Sequence, residues 1–222
     1  MKKMLLTMAV VALVMMPMAG MAASITIPLD TAFSNYDPPL TGLNFGTVEI
    51  SEIAGGDGFQ DVQFKIVYPA ATGTGGPNAD LQWFYFNINP NPNPLSNLVV
   101  TAITGNIEGV KFTQKADGSG NFDYEVDYGA GANPTVQTAI FSVSLANTNL
   151  SITNFADGTA DTKSEPSAKG AYTVAAHFQS TNFQGNTSEF VGGNPPVVPI
   201  PGSLLLLGSG ILGLVGLRRK LF

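Results

Sequence analysis

Apolar and polar residues alternate with a period of two in several stretches of the chain. These stretches are Asp61–Tyr68, Phe122–Tyr128, Phe141–Leu145 and Tyr172–Gln179. Successive side chains of a β-strand point to opposite faces, so each stretch predicts a half-buried strand with its apolar face inward. A further segment, Leu81–Phe86, is almost continuously apolar and predicts a central strand.

Segments 97–104 and 149–155 also predict strands. Runs rich in Gly, Pro, Asn and Asp separate the strands and favour turns, at residues 54–58, 72–78, 89–94, 117–121 and 129–134. No segment between residues 23 and 197 repeats apolar residues with the period of a helix. The pattern predicts an all-β fold, an antiparallel β-sandwich of the jelly-roll or immunoglobulin-like kind over residues 23–191. Residues 192–198, rich in Gly and Pro, predict a stiff, extended linker.

The first 22 residues have a different character. Lys2 and Lys3 precede an apolar run, Met4–Met18, and small residues follow it. A basic start, a short apolar segment and small residues at the end are typical of a secretory signal peptide. The apolar run is shorter than the roughly 20 residues that a spanning helix needs. We therefore expect export and removal of residues 1–22 by signal peptidase, with cleavage after Ala22 or, as the alternative, after Ala23.

The C-terminal residues predict a membrane-spanning helix. No charge occurs from Ile200 to Leu217, and three cations follow at once, Arg218, Arg219 and Lys220. A helix of this length is about 27 Å long, close to the roughly 30 Å of a hydrocarbon core. The positive-inside rule keeps the three cations in the cytoplasm, so the rest of the chain is expected outside the inner membrane.

This segment resembles the PEP-CTERM sorting signal of Gram-negative bacteria. Val198-Pro199-Ile200-Pro201 is similar to the V-P-x-P variant of its motif, and the Gly/Leu-rich span with its terminal Arg-Arg-Lys completes the pattern. The resemblance makes residues 199–222 a sorting signal and implies processing near the motif by an exosortase, a membrane enzyme. It also implies an association with exopolysaccharide and biofilm. The expected course is transient anchoring in the inner membrane, followed by delivery to the cell surface or the extracellular matrix.

Charge is distributed unevenly along the chain. The protein has 16 acidic residues and 10 cations, and five of the cations are in the two terminal segments. The middle of the chain therefore sets five lysines against all sixteen acids, a formal charge of −11. Such a surface repels phosphates, so nucleic acid is not an expected partner. No cysteine is present, so this exported chain has no disulfide to stabilise it.

The best metal candidate in the sequence is the glycine-containing segment 117–123. Oxygen-bearing side chains at every second position suit a hard cation such as Ca²⁺; they are Asp117, Ser119, Asn121 and Asp123. Tyr128 stands where an EF-hand loop has its glutamate, so the alternative is a simple hairpin turn between Phe112 and Phe122. No other cofactor is expected.

Three acids share one face of the strand predicted after this turn. Asp123, Glu125 and Asp127 lie roughly 7 Å apart along it and would repel one another. Either a strand carrying lysine or a bound cation is therefore expected beside them.

Other candidate groups favour structural roles. His177 is the only histidine, it lies on the polar face by alternation, and neither G-x-S-x-G nor H-E-x-x-H occurs. A surface or inter-strand histidine is expected, and no catalytic residue. Trp83, Phe84 and Tyr85 would form a sugar-stacking platform if one ring faced outward, but core packing is expected for at least two of them.

These observations favour a non-enzymatic surface or matrix protein with a structural or adhesive role. A carbohydrate-binding module, with or without Ca²⁺, is the second hypothesis. An enzyme acting on exopolysaccharide is the third, and it would need two opposed carboxylates, which no spacing among the acids singles out.

Overall fold

The computed structural model describes residues 23–33, 38–68, 80–89, 97–117, 119–129, 138–157, 162–164, 167, 169–183 and 186–196. Within these ranges the chain forms strands and one helix of a single turn, α1 (Thr153–Ala156). The strands are β1 (Ser24–Pro28), β2 (Thr31–Ala32), β3 (Thr47–Ala54), β4 (Gln60–Val67), β5 (Asp80–Phe86), β6 (Leu98–Thr104), β7 (Gly109–Lys115), β8 (Asn121–Asp127), β9 (Thr138–Leu145), β10 (Val174–Phe183) and β11 (Asn186–Gly193).

The strands form two antiparallel sheets. Sheet A has five strands in the order β1-β3-β4-β9-β6, and sheet B has six in the order β2-β11-β10-β5-β8-β7. Many neighbours are far apart in sequence; Phe64 of β4, for example, lies opposite Phe141 of β9. The two sheets enclose a common core, so the predicted all-β fold of antiparallel, sandwich-like sheets is confirmed.

Aromatic rings from both sheets fill the centre of this core. Phe64 and Phe141 of sheet A stack with their ring centroids 4.9 Å apart. Phe84 of sheet B meets Phe64 edge-on at 5.8 Å, and Phe86 stacks on Tyr124 at 5.1 Å. All five side chains are fully buried, and each contributes about 1.5–3 kcal/mol to stability by leaving water. Phe64, Tyr124 and Phe141 occupy the inward positions that the alternation in β4, β8 and β9 predicts.

The strand predicted over residues 149–155 is wrong. The chain turns there and forms α1, whose Phe155 packs edge-on against Phe64 with centroids 5.2 Å apart. Asn154 holds the turn in place through two hydrogen bonds to the backbone of Asn89. Its side-chain amide donates to the carbonyl of Asn89, and its backbone carbonyl accepts from the N–H of Asn89. One helical turn brings Ile152, Phe155 and Ala156 into the core together, which an extended strand with alternating faces cannot do.

Strand β11 continues further than the predicted domain boundary. Gly192 and Gly193, which the sequence assigns to the linker, pair with Ala175 and Val174 of β10. A Cβ at Gly192 would lie 2.6 Å from Cγ of Tyr172, so the ring rests directly on the backbone of β11. The next residue, Asn194, accepts hydrogen bonds from the N–H and hydroxyl of Thr173 and donates one to the carbonyl of Ala171.

The predicted signal peptide (1–22), the sorting motif Val198–Pro201, the span 200–217 and the cations Arg218–Lys220 lie outside the described residues. In the part of the chain that is described, no helix is both long and apolar enough to cross a membrane. Ala23, the alternative cleavage position, is described: its carbonyl accepts a hydrogen bond from the N–H of Glu52 at the edge of sheet A.

Candidate functional site

The outer face of sheet B carries three aromatic rings side by side. Trp83 of β5 lies opposite His177 of β10, and His177 lies opposite Phe190 of β11. The His177 ring is 4.5 Å from that of Trp83 and 4.2 Å from that of Phe190, with interplanar angles of 18° and 29°. We call these three side chains the aromatic strip.

The rings of the aromatic strip stack on one another instead of lying flat on the sheet. Their centroid spacing is close to the roughly 4.8 Å between neighbouring strands, so each ring stands on the sheet and faces the next. Both faces of His177 are therefore covered, and the side chain is only 5% exposed. Trp83 and Phe190 are partly buried. A flat platform for a sugar ring would need an exposed ring face, and neither face of His177 offers one.

His177 lies on the side of β10 that alternation predicts, but it is a buried inter-strand histidine and not a surface one. Burial lowers the pKa of His177 to about 4, and the carboxylate of Asp117 opposes that shift only in part. Its Nδ1 has no hydrogen-bond partner within the described structure. The ring is neutral at neutral pH, and its pKa is too low for an efficient general base.

The acidic face of β8 is neutralised by a neighbouring lysine. The ammonium group of Lys111, on β7, lies 2.8 Å from Oε1 of Glu125 and 2.7 Å from Oδ2 of Asp127. Of the two expectations for this face, a lysine-bearing strand or a bound cation, the first is confirmed for these two acids. The third acid, Asp123, accepts a hydrogen bond from the N–H of Ile88 on the β5 side, 3.0 Å away.

The ionisation of these groups follows from their contacts. The hydrogen bonds that Lys111 donates to Asp127 and Glu125 raise its pKa to about 12. Burial works to raise the pKa of Asp127, but hydrogen bonds from Lys111, the Gly129 N–H and the Trp83 side chain outweigh it and the pKa falls below its usual value. Burial raises the pKa of Asp123, partly offset by the Ile88 N–H. The hydrogen bond between Trp83 and Asp127 joins the aromatic strip to the ion pairs.

The candidate calcium residues lie in and after the turn that joins β7 and β8. Ser119 is buried, and its hydroxyl donates to the carbonyl of Ala116 at 2.7 Å. Asn121 begins β8 opposite Lys115. The carboxylate of Asp123 accepts the hydrogen bond from the N–H of Ile88, which follows β5. The hairpin between Phe112 and Phe122 is confirmed; Gly118 lies outside the described residues. In the described residues, no three or more His, Cys, Asp or Glu side chains are grouped so that they could hold a metal ion.

The outer face of sheet B is covered by residues that the apolar pattern of the sequence does not single out. Phe33, which follows β2, stacks on Tyr172 with centroids 5.1 Å apart and an angle of 15°. These rings bury Tyr85 and Phe122 in a second apolar cluster, so Phe84 and Tyr85 both pack inside the protein. One signal was present in the sequence: a glycine within a strand, here Gly192, often marks a close approach by another group.

Comparison with known proteins adds no relative to this picture. No family model matches the chain, no curated protein matches it, and no solved structure matches it. The assignment of function therefore depends on the residues themselves and on the C-terminal segment.

Proposed function

We propose that this chain is an exported, non-enzymatic protein of the cell surface or extracellular matrix, with a structural or adhesive role associated with exopolysaccharide. The observation that carries the proposal is that two acids on the outer face of sheet B are paired with a lysine and the histidine there is enclosed between two rings. Lys111 holds Glu125 and Asp127, and His177 is neutral between two rings. Acid–base chemistry needs a group that is free to exchange a proton near the working pH, and these groups are not.

The destination follows from the two terminal segments. In the proposed route, signal peptidase cuts after Ala22 or Ala23, and the helix over 200–217 then holds the chain in the inner membrane. An exosortase next acts at Val198–Pro201. Asn194 is still hydrogen-bonded to the domain, so only residues 195–197 separate the domain from the motif. That length spans about 10 Å at most, which would hold the folded domain against the membrane until cleavage. The finer assignment of the sandwich as jelly-roll or immunoglobulin-like is part of the same proposal.

Intact-mass analysis of the protein from its native host tests this route. We expect an N-terminus at Ala23 or Ser24 and a C-terminus within or next to the motif, between Val198 and Gly202. Excess mass would indicate attached glycan. Recovery of a chain that still ends at Phe222 would contradict exosortase processing and would indicate a plain membrane anchor.

Variants of the tail separate recognition of the motif from export itself. Replacing both Pro199 and Pro201 by alanine is expected to leave an uncut chain in the membrane fraction. The matched control replaces Pro195 and Pro196, which precede the motif, and processing should continue. Equal processing of the two variants would remove the motif from the proposal.

A second candidate, carbohydrate binding, is favoured by one observation: Trp83 and Phe190 remain partly exposed, and Trp83 lies opposite Asp127, which pairs with Lys111. Trp83 is the only tryptophan of the chain, so its fluorescence reports directly on the aromatic strip. Titration with the host's exopolysaccharide, in calcium and in chelator, should shift the emission saturably if a sugar contacts the strip. An unchanged spectrum under both conditions would eliminate this site.

A further inference from the structure

Strand β6 is the last strand of sheet A, and among the described strands none pairs with its outer side. It pairs with β9 through Leu98–Ala102 and Thr104, and β9 is its only partner in the sheet order of the described strands. Its side chains are unusually apolar for their exposure: Val99 is 53% exposed and Ile103 is 52% exposed. The strand reads Leu-Val-Val-Thr-Ala-Ile-Thr, without charge or proline. An open edge of this composition is suited to pairing with another strand.

The other sheet edges carry features that discourage such pairing. β1 is short and ends in Pro28, and β2 has two residues. β7, at the far edge of sheet B, carries Lys111 and Lys115. Short length, proline and lysine are the usual protections of an edge strand. On β6 the single interruption is a bulge between Ala102 and Thr104, which leaves the regular segment Leu98–Ala102 open.

Charge indicates what approaches this edge. The middle of the chain has a formal charge of −11, so two copies repel each other over most of their surface. β6 and its neighbour β9 contain no charged residue, which makes this part of sheet A the place where two copies meet with the least repulsion. An antiparallel strand pair is also self-complementary, because a two-fold axis relates a strand to its own copy.

We propose that β6 is a homotypic interface, where Leu98–Ala102 of one copy pairs antiparallel with the same segment of a second copy. The two five-stranded sheets would join into one continuous sheet of ten strands. Val99 would lie on the outer face of the joined sheet, opposite Thr101 of the other copy, and lose most of its exposure. This inference rests on the edge strand alone and holds whether or not the sorting tail is processed.

The absence of cysteine makes a direct cross-linking test simple. The full chain carrying T101C is purified in mild detergent and treated with a bis-maleimide that spans about 8 Å, which matches the diagonal distance between the two copies of residue 101 when Thr101 lies opposite Val99 of the other copy. The matched control is S142C, because Ser142 of β9 lies opposite Thr101 in the same sheet. In the proposed dimer three strand spacings separate the two copies of residue 142, about 14 Å.

We expect at least about tenfold more cross-linked dimer from T101C than from S142C, because only the former falls within reach of the reagent. Association through the C-terminal segment would bring the domains together without selecting one strand, so it would cross-link both variants alike. Equal yields, or a purely monomeric T101C chain, would overturn the proposal. The partner of this edge would then be a different protein.

A second variant tests the chemistry of the edge. V99K, added to T101C, is expected to reduce the dimer about tenfold, since an exposed lysine is a typical block to edge pairing. V99T keeps a β-branched side chain and should leave the yield within about twofold. Lysine also lowers the net negative charge, so V99K would increase the dimer if relief of general repulsion governed association. An undiminished or increased dimer would count against strand pairing. The T101C and S142C comparison stands without this variant.

Discussion

His177 is the residue that links the stability of the fold most clearly to pH. The folded state holds this ring neutral between Trp83 and Phe190, with a pKa of about 4 against 6.5 for an ordinary histidine. The unfolded chain therefore binds a proton at a higher pH than the folded chain does. The contribution of His177 to stability is complete above pH 6.5, decreases as the pH falls toward 4, and changes no further below it.

We expect the free energy of unfolding to fall by up to about 3 kcal/mol between pH 7 and pH 4 through this residue. Urea denaturation of residues 23–197, monitored by Trp83 fluorescence, measures the free energy of unfolding at each pH. The H177Q variant supplies the reference, because it lacks the imidazole and keeps every carboxylate of the protein. The difference between the two curves should shrink as the pH falls from 6.5. Parallel curves would show that His177 is not buried as a neutral ring.

Lys111 is the second residue with a large expected effect. Its ammonium group forms ion pairs with Glu125, whose side chain is only 7% exposed, and with Asp127, whose side chain is 18% exposed. Removing the cation leaves two carboxylates close together with little water. We expect K111M to cost about 1–2 kcal/mol, a value reduced because Lys111 itself is half exposed.

Denaturation of K111M and K115M in parallel checks that prediction. Lys115 is on the same strand and exposed, so K115M controls for loss of one positive charge. Stabilities that fall equally would mean that net charge matters and the two ion pairs do not.

At the scale of the strands, Gly192 shows how close packing depends on one missing side chain. Tyr172 rests on its backbone, so a methyl group there would collide with the ring. At Gly109 of β7, by contrast, an added Cβ would stand in open space. We expect G192A to destabilise the domain by about 2–3 kcal/mol and G109A to change its stability by less than about 0.5 kcal/mol. Thermal unfolding of both variants measures the contrast, and similar melting temperatures would place Tyr172 elsewhere.

The strands that sequence predicts well are those with one face on the core. In β4 and β9 every second residue is apolar, and burial follows that pattern. In β8 burial departs from it at Glu125, a polar-face residue that is buried and paired with Lys111. The segment 149–155 misled because its apolar residues cap the core from a turn, a position that depends on the distant Asn89. β10 buries residues on both faces, since rings from β5 and β11 cover His177. Contacts between strands so far apart in sequence leave no local signal.

At the scale of the whole molecule, the acidic body should respond to salt. Sixteen acids against five lysines repel one another in the folded state, and dissolved ions screen that repulsion. We expect the melting temperature of residues 23–197 to rise by about 2–5 °C as sodium chloride increases from 20 to 500 mM. Differential scanning fluorimetry measures it. A decrease would mean that the ion pairs of Lys111, together with that of Lys65 and Glu49 on neighbouring strands of sheet A, outweigh the general repulsion.

Asn194 has a mechanical consequence for a domain held by its C-terminal segment. Tension on that segment first meets the three hydrogen bonds of Asn194 to Ala171 and Thr173, and then strand β11 of sheet B. If the load leaves through β6 of sheet A, it must cross from one sheet to the other, where no hydrogen-bond ladder connects the described strands. The edge-on ring contacts between the sheets, those of Phe84 with Phe64 and Phe141, would then bear the load, and their strength would set the force at which the domain yields.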